Sequence, residues 1–139
     1  MRPVLNTEAV IHGLPEVLKI TFRWLLSVFF ILAGSNHFIS PQTYMEIMPP
    51  YLPWPLALVG VSGMAEIILG TAILFPRWRQ MAGWGLIALL VAVFPANIHM
   101  ALYGFHSVAN WILWARLPVQ FVIMGWVYWT CVIERAPLK

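Results

Sequence analysis

Four apolar stretches, at residues 16–39, 55–75, 81–103 and 111–133, alternate along the chain with short polar or proline-rich breaks. An α-helix needs about 20 such residues to cross the hydrocarbon core of a bilayer. Each stretch meets that length. The pattern predicts an all-α protein, an integral membrane four-helix bundle forming a single transmembrane domain over residues 1–139. The first break carries a further element. Ser40 suits an N-cap and Pro41 the first helical position, while Pro49 disfavours helix at Met48. Tyr44, Ile47 and Met48 then share one side of a short amphipathic helix in the first outer loop. A stiff proline-rich return follows, and Tyr44, Met48 and Tyr51 are the expected lid residues over the bundle.

The polar positions that interrupt the apolar stretches are where chemistry is expected. Glu66 stands near the middle of the second stretch, where a charged side chain costs at least ~2.5–3.5 kcal/mol on insertion scales. Helical spacing puts it on one face with Val59, Gly63 and Gly70, and with Ser62 beside them. The small residues let a neighbouring helix come close. Glu66 is therefore expected to point into the bundle. On the first stretch Ser27, Phe30, Gly34 and His37 share a stripe. The third contains Pro95, expected to kink it, followed by Asn97 facing inward and His99 towards the rim. On the fourth, Arg116 and Gln120 stand four apart on one face, and Pro118 either kinks the first turn or marks its start.

Composition changes the picture only by naming the solvent. The chain is 61% hydrophobic and 9% charged, with mean hydropathy +0.81, whereas a soluble domain carries roughly 25% charged residues. The basic residues give no nucleic-acid patch, because they are scattered at segment ends. Arg2, Lys19, Arg23, Arg77, Arg79, Arg135 and Lys139 fall in the terminal segments and the middle turn. The other two loops lack Lys and Arg, apart from Arg116 just inside the fourth stretch. The positive-inside rule then places both termini in the cytoplasm of a multi-pass protein of the inner membrane. Trp24, Trp78, Trp84, Trp126 and Trp129 fall near the inner interface, and Trp54, Trp111 and Trp114 near the outer one. Residues 1–15, with His12 solvated, are read as a surface tail, and the first stretch as a retained span, not a cleaved signal. The lone Cys131 excludes an internal disulfide and reads as an apolar filler.

In this topology His37, Asn97, Arg116 and Gln120 all lie in the outer half, with Glu66 about 16 Å below Pro55. The expectation is an outward-opening polar pocket with Glu66 at its floor and Arg116 in its wall. A buried carboxyl standing alone is held neutral and suits proton exchange; one beside Arg116 is held ionised and suits anchoring. The same groups also serve as a polar clasp that only joins helices. The spacing gives no Glu-x-x-His or His-x-x-x-His pair, so no metal site is expected, and no phosphate loop or serine-nucleophile motif is present.

These residues give the chain a resemblance. Ala33-Gly34 with His37-Phe38 and Pro41, then Tyr44 with Met48-Pro49-Pro50-Tyr51-Leu52-Pro53, then Ser62-Gly63 with Glu66 and Gly70, then Pro95-Ala96-Asn97, and Arg116-Leu117-Pro118 with Gln120 follow one another in order. The set spans about residues 20–133 and is similar to the DoxX-like family of small four-span bacterial membrane proteins. The resemblance implies a four-helix bundle of the cytoplasmic membrane linked to redox work, including a quinone-reducing thiosulfate oxidase subunit. A branch concerned with disulfide formation is discounted, because this chain lacks the cysteines. Three function classes follow. The first is a redox accessory holding a quinone or similar apolar aromatic molecule. The second is a non-catalytic subunit or assembly helper, bound to a membrane-protein partner or to its own copies. The third is a proton-coupled transporter, for which no inverted repeat is evident.

Overall fold

A computed structural model describes residues 7–106 and 108–133, with side chains from residue 16 onward. His12, Arg2, Glu134, Arg135 and Lys139 therefore lie outside the described side chains. The described residues are helical almost throughout. The elements are α1 (Thr7–Ile39), α2 (Pro41–Glu46), α3 (Pro55–Ala72), α4 (Arg79–Tyr103) and α5 (Asn110–Val127), with a π-helical segment (Tyr128–Val132) extending α5. Four of these helices are long and apolar enough to cross a membrane.

The boundaries differ from the pattern in ways that have local causes. α1 starts nine residues ahead of residue 16 and runs through Pro15. A proline removes one backbone bond and bends a helix without having to end it when both flanks are helix-compatible. α3 stops at Ala72, earlier than the apolar run, because a turn precedes Pro76. Pro118 lies inside α5, so it is not the helix start. Ser40 takes the N-cap position of α2 with Pro41 next, but its side chain makes no capping hydrogen bond.

The closest approach joins α1 and α3. The buried residues of α3 are Val59, Gly63, Glu66 and Gly70, the face that helical spacing predicts. A Cβ built on Gly63 would lie 2.6 Å from the Cβ of His37 and 2.9 Å from the carbonyl oxygen of Gly34. Gly34 faces the Gly63 carbonyl in the same way, at 2.5 Å. α3 also packs on α4, α4 on α5 and on the π-helical segment, and α2 on α3 and α1. α1 reaches the π-helical segment at its far end.

The core has two apolar parts. Towards the π-helical end Leu26, Phe30, Ile73, Leu86, Leu90, Val127 and Cys131 cluster. Towards the α2 end Met100, Ala101 and Leu113 do so, with Ile47 and Leu117 against them. Cys131 is buried, with its Sγ 3.4 Å from the Thr130 hydroxyl.

The basic residues of α1 have a structural use. A π-helical turn leaves carbonyls without their usual partners. The Lys19 ammonium donates to the Ile133 carbonyl (3.1 Å), and the Arg23 Nε–H to that of Thr130 (2.7 Å). Lys19 is only 2% exposed, so its stem fills the joint while its charge caps the helix end. Lys19→Met keeps the bulk and removes the donor. We expect it to lower unfolding stability by about 1 kcal/mol, the net value of one part-buried hydrogen bond, measured by reversible denaturation in detergent.

A polar cavity walled by five helices

Between the two apolar clusters lies a cavity of about 390 Å³. Five elements wall it: α1 through Phe29, Phe30, Ala33 and His37; α2 and its end through Tyr44, Ile47 and Met48; α3 through Val59, Ser62 and Glu66; α4 through Leu90, Val93, Ala96 and Asn97; and α5 through Arg116, Val119, Gln120 and Ile123. The sequence-predicted residues His37, Glu66, Asn97, Arg116 and Gln120 thus all line one space. Tyr44 and Met48 of the expected lid line it as well. Tyr51 does not: it is 73% exposed, because the bend after Pro49-Pro50 turns it outward.

On the α3 side, His37 is held by a backbone carbonyl. Its Nδ1 lies 3.0 Å from the Val59 oxygen and 3.0 Å from Ser62 Oγ, whose own hydroxyl donates to the same carbonyl. A carbonyl oxygen can only accept, so the proton belongs on Nδ1 and Nε2 is left as an acceptor. That Nε2 points to Glu66, with Oε2 at 3.7 Å, too long for a hydrogen bond. Glu66 is 8% exposed, and its buried Oε2 has no hydrogen-bond partner among the described residues. Unpartnered buried carboxyl oxygens are uncommon in folded proteins and mark a site worth explaining.

On the α4–α5 side the polar groups bond one another. The Asn97 amide donates to Gln120 Oε1 at 2.7 Å, and the Gln120 amide donates to the Leu90 carbonyl. Leu90 precedes Val91, whose carbonyl would have received the N–H that Pro95 lacks. Gln120 therefore stitches α5 to α4 at the proline. Gln120→Leu leaves both the Asn97 amide and the Leu90 carbonyl without this partner. We expect a loss of about 2 kcal/mol or more, measured as a lower denaturation midpoint.

Arg116 and Glu66 do not meet, so of the two arrangements that the sequence leaves open the structure shows the one without the pair. Arg116 Nη1 points to the Met100 sulfur at 3.7 Å, a weak acceptor. The reason is depth: Arg116 is six residues into α5, about 9 Å, whereas Glu66 is about 16 Å into α3, and Asn97 and Gln120 stand on the far wall. Most of the guanidinium's donors are thus available at the cavity rim.

α2 lies across the α2 end of the cavity. The Asn36 amide donates to the Tyr44 hydroxyl at 2.9 Å, and the Tyr44 and His37 rings sit 3.9 Å apart. At the other side Glu46 pairs with His106 of the α4–α5 loop at 2.9 Å. Sequence reasoning gave neither His106 nor Glu46 a role. No spacing signals a contact between two loops, and only the fold brings them together. The turn at Ser40 is what folds Tyr44 back over His37.

The elements and the cavity define an all-helical protein with four helices of membrane-crossing length around a partly polar chamber. The chain belongs to the family described as a domain of unknown function (DUF8561), which matches residues 26–131 and so includes every residue that lines the cavity. No curated protein and no solved structure matches the chain.

Proposed function

We propose that the protein is a four-span membrane bundle that holds a quinone or a similar flat, oxygen-bearing apolar molecule in this cavity, as an accessory to redox chemistry. The observation that carries the reading is that polar residues from separate helices line one mostly apolar space, with one carboxyl oxygen lacking a hydrogen-bond partner inside it and the Arg116 guanidinium at its rim. Ligand sites have this makeup: apolar walls with a few convergent polar groups. Glu66 and His37 Nε2 suit a hydroxyl of the reduced quinol form, and Arg116 suits a carbonyl of the oxidised quinone form. The resemblance to the DoxX-like family supports the redox side of the reading.

Membrane insertion is supported by the surface. No more than 28% of the residues in any of the four apolar windows are buried within the protein, so most of their apolar area needs another solvent. In this reading both termini face the cytoplasm and the membrane is the inner one, an orientation supported by the positive-inside rule through Lys19, Arg23, Arg77 and Arg79. A second reading, a subunit or assembly helper of a larger membrane complex, is supported by the broad exposure of Trp54 and Trp111 at the α2 end.

The test is native mass spectrometry of the full chain extracted gently from its own membrane. The expected result is a bound quinone-sized mass that Arg116→Ala retains at about tenfold lower occupancy, as loss of a charged hydrogen bond implies. A protein partner at fixed stoichiometry with no small molecule would support the second reading in its place.

A further inference from the structure

We infer that the cavity is entered sideways, between α1 and α5, and that its occupant is an amphiphile whose planar oxygen-bearing head rests against the polar wall while an apolar tail leaves through that gap. The inference rests on the quinone-type reading above and specifies its ligand class and route.

The gap follows from how α1 is held. At the π-helical end α1 is closed against its neighbours: Lys19 and Arg23 cap the π-helical carbonyls, and Phe22 lies edge-on to Trp126 at 5.4 Å. Leu26 and Phe30 continue that closure into the apolar cluster. Beyond them α1 follows α3, because the Gly34–Gly63 contact holds it there, and no substantial packing joins α1 to the body of α5. Phe29 and Val119 both line the cavity and are also 48% and 51% exposed. A side chain that faces both the cavity and the outside marks a mouth.

The depth of this mouth decides what enters. Phe29 is ten residues before the end of α1 and Val119 nine after the start of α5, so both lie about 14–15 Å from the α2 end. Glu66 is about 16 Å from the same end. The mouth and the carboxyl are thus level, near the middle of a hydrocarbon core ~30 Å thick. A water-soluble ligand does not arrive at that depth; a lipid-dissolved one does. The opposite approach, from the α2 end, is covered by Tyr44, Ile47 and Met48, and α2 is tied on both sides through Asn36 and His106. The α2 end is crossed by a tied helix with the charged Arg116 exposed beside it, whereas the sideways mouth is edged by apolar side chains alone. His37, Glu66 and Gln120 stand buried inside the chamber while the mouth is edged by Phe29 and Val119, so head and tail have separate places.

The test uses the full chain in lipid nanodiscs and two probes. One is a fully substituted benzoquinone with an alkyl tail of about ten carbons; the other has the same head and a methyl group in place of the tail. Phe29→Trp combined with Val119→Trp narrows the mouth at two half-exposed positions, away from the polar groups. Occupancy is read by native mass spectrometry at equal probe content per lipid. The expected result is about a tenfold lower occupancy of the tailed probe in the double variant, with the tail-less probe changed by less than about twofold. Equal occupancy of the tailed probe in both proteins, or equal loss of both probes, would overturn the sideways route while leaving the ligand reading in place. Neither probe held by the unmodified chain would overturn the ligand reading and this inference with it. A diazirine placed mid-tail gives an independent readout in the unmodified protein: labelling of the peptides carrying Phe29 and Val119 supports the route, and labelling confined to Tyr44–Met48 overturns it.

Discussion

Gly63→Val is expected to cost about 3 kcal/mol or more of stability and to empty the cavity, whereas Gly60→Ala three residues earlier is expected to be neutral or stabilising by up to about 1 kcal/mol. The two glycines share a helix and differ only in what a side chain would meet. At Gly63 the first added carbon lies 2.6 Å from the His37 Cβ and 2.9 Å from the Gly34 carbonyl, both fixed to backbone. At Gly60 nothing lies within 4 Å. Relief at Gly63 requires α1 to move off α3, and His37 moves with it, away from the Val59 carbonyl that sets its tautomer. Denaturation in detergent reads the stability and native mass spectrometry reads the ligand. Similar effects from Gly60 and Gly63 would mean that the α1–α3 contact is not what holds the cavity.

Glu66→Gln is expected to move stability and ligand retention in opposite directions. The carboxyl is buried, its Oε2 unbonded and 3.7 Å from an accepting His37 Nε2. An amide of the same shape carries N–H donors, so it satisfies the imidazole nitrogen and removes the need to bury an acid. Stability is expected to hold or rise by about 1 kcal/mol. A ligand hydroxyl, such as that of the reduced quinol form, in contrast exchanges a carboxyl partner for an amide, and retention of that form is expected to fall by about fivefold to tenfold, the value of one buried hydrogen bond. The measurement is the pair of denaturation midpoint and bound mass in one preparation. If the polar set were only a clasp between helices, retention would be unchanged and the midpoint alone would respond.

Much of the site was legible because helical periodicity reports faces. Val59, Gly63, Glu66 and Gly70 fall on one stripe by spacing alone, and the folded chain buries that stripe. His37, Asn97, Arg116 and Gln120 could be assigned to one half of the protein because hairpin connectivity fixes which helix ends adjoin. Depth along a helix follows at a constant rise per residue. What periodicity does not report is lateral pairing. It could not tell that Gln120 would serve Asn97 and the Leu90 carbonyl, that Arg116 would lie against Met100, or that Glu66 Oε2 would be left without a hydrogen bond among the described residues.

The loops were less legible still. Tyr51 shares the aromatic, proline-rich context of Tyr44, yet the bend after Pro49-Pro50 turns it outward, while the turn at Ser40 lays Tyr44 on His37. Glu46 and His106 come from separate loops that only the folded chain brings together.

By itself, then, the sequence determined the helices, their apolar character and the inward faces, because backbone geometry turns spacing into direction. Only the tertiary structure decided which polar groups neutralise one another and which remain open to a guest. That outcome depends on distances of a few ångströms between helices, and those are set by backbone contacts such as Gly34 against Gly63 and by which helices pack together, neither of which has a period along the chain.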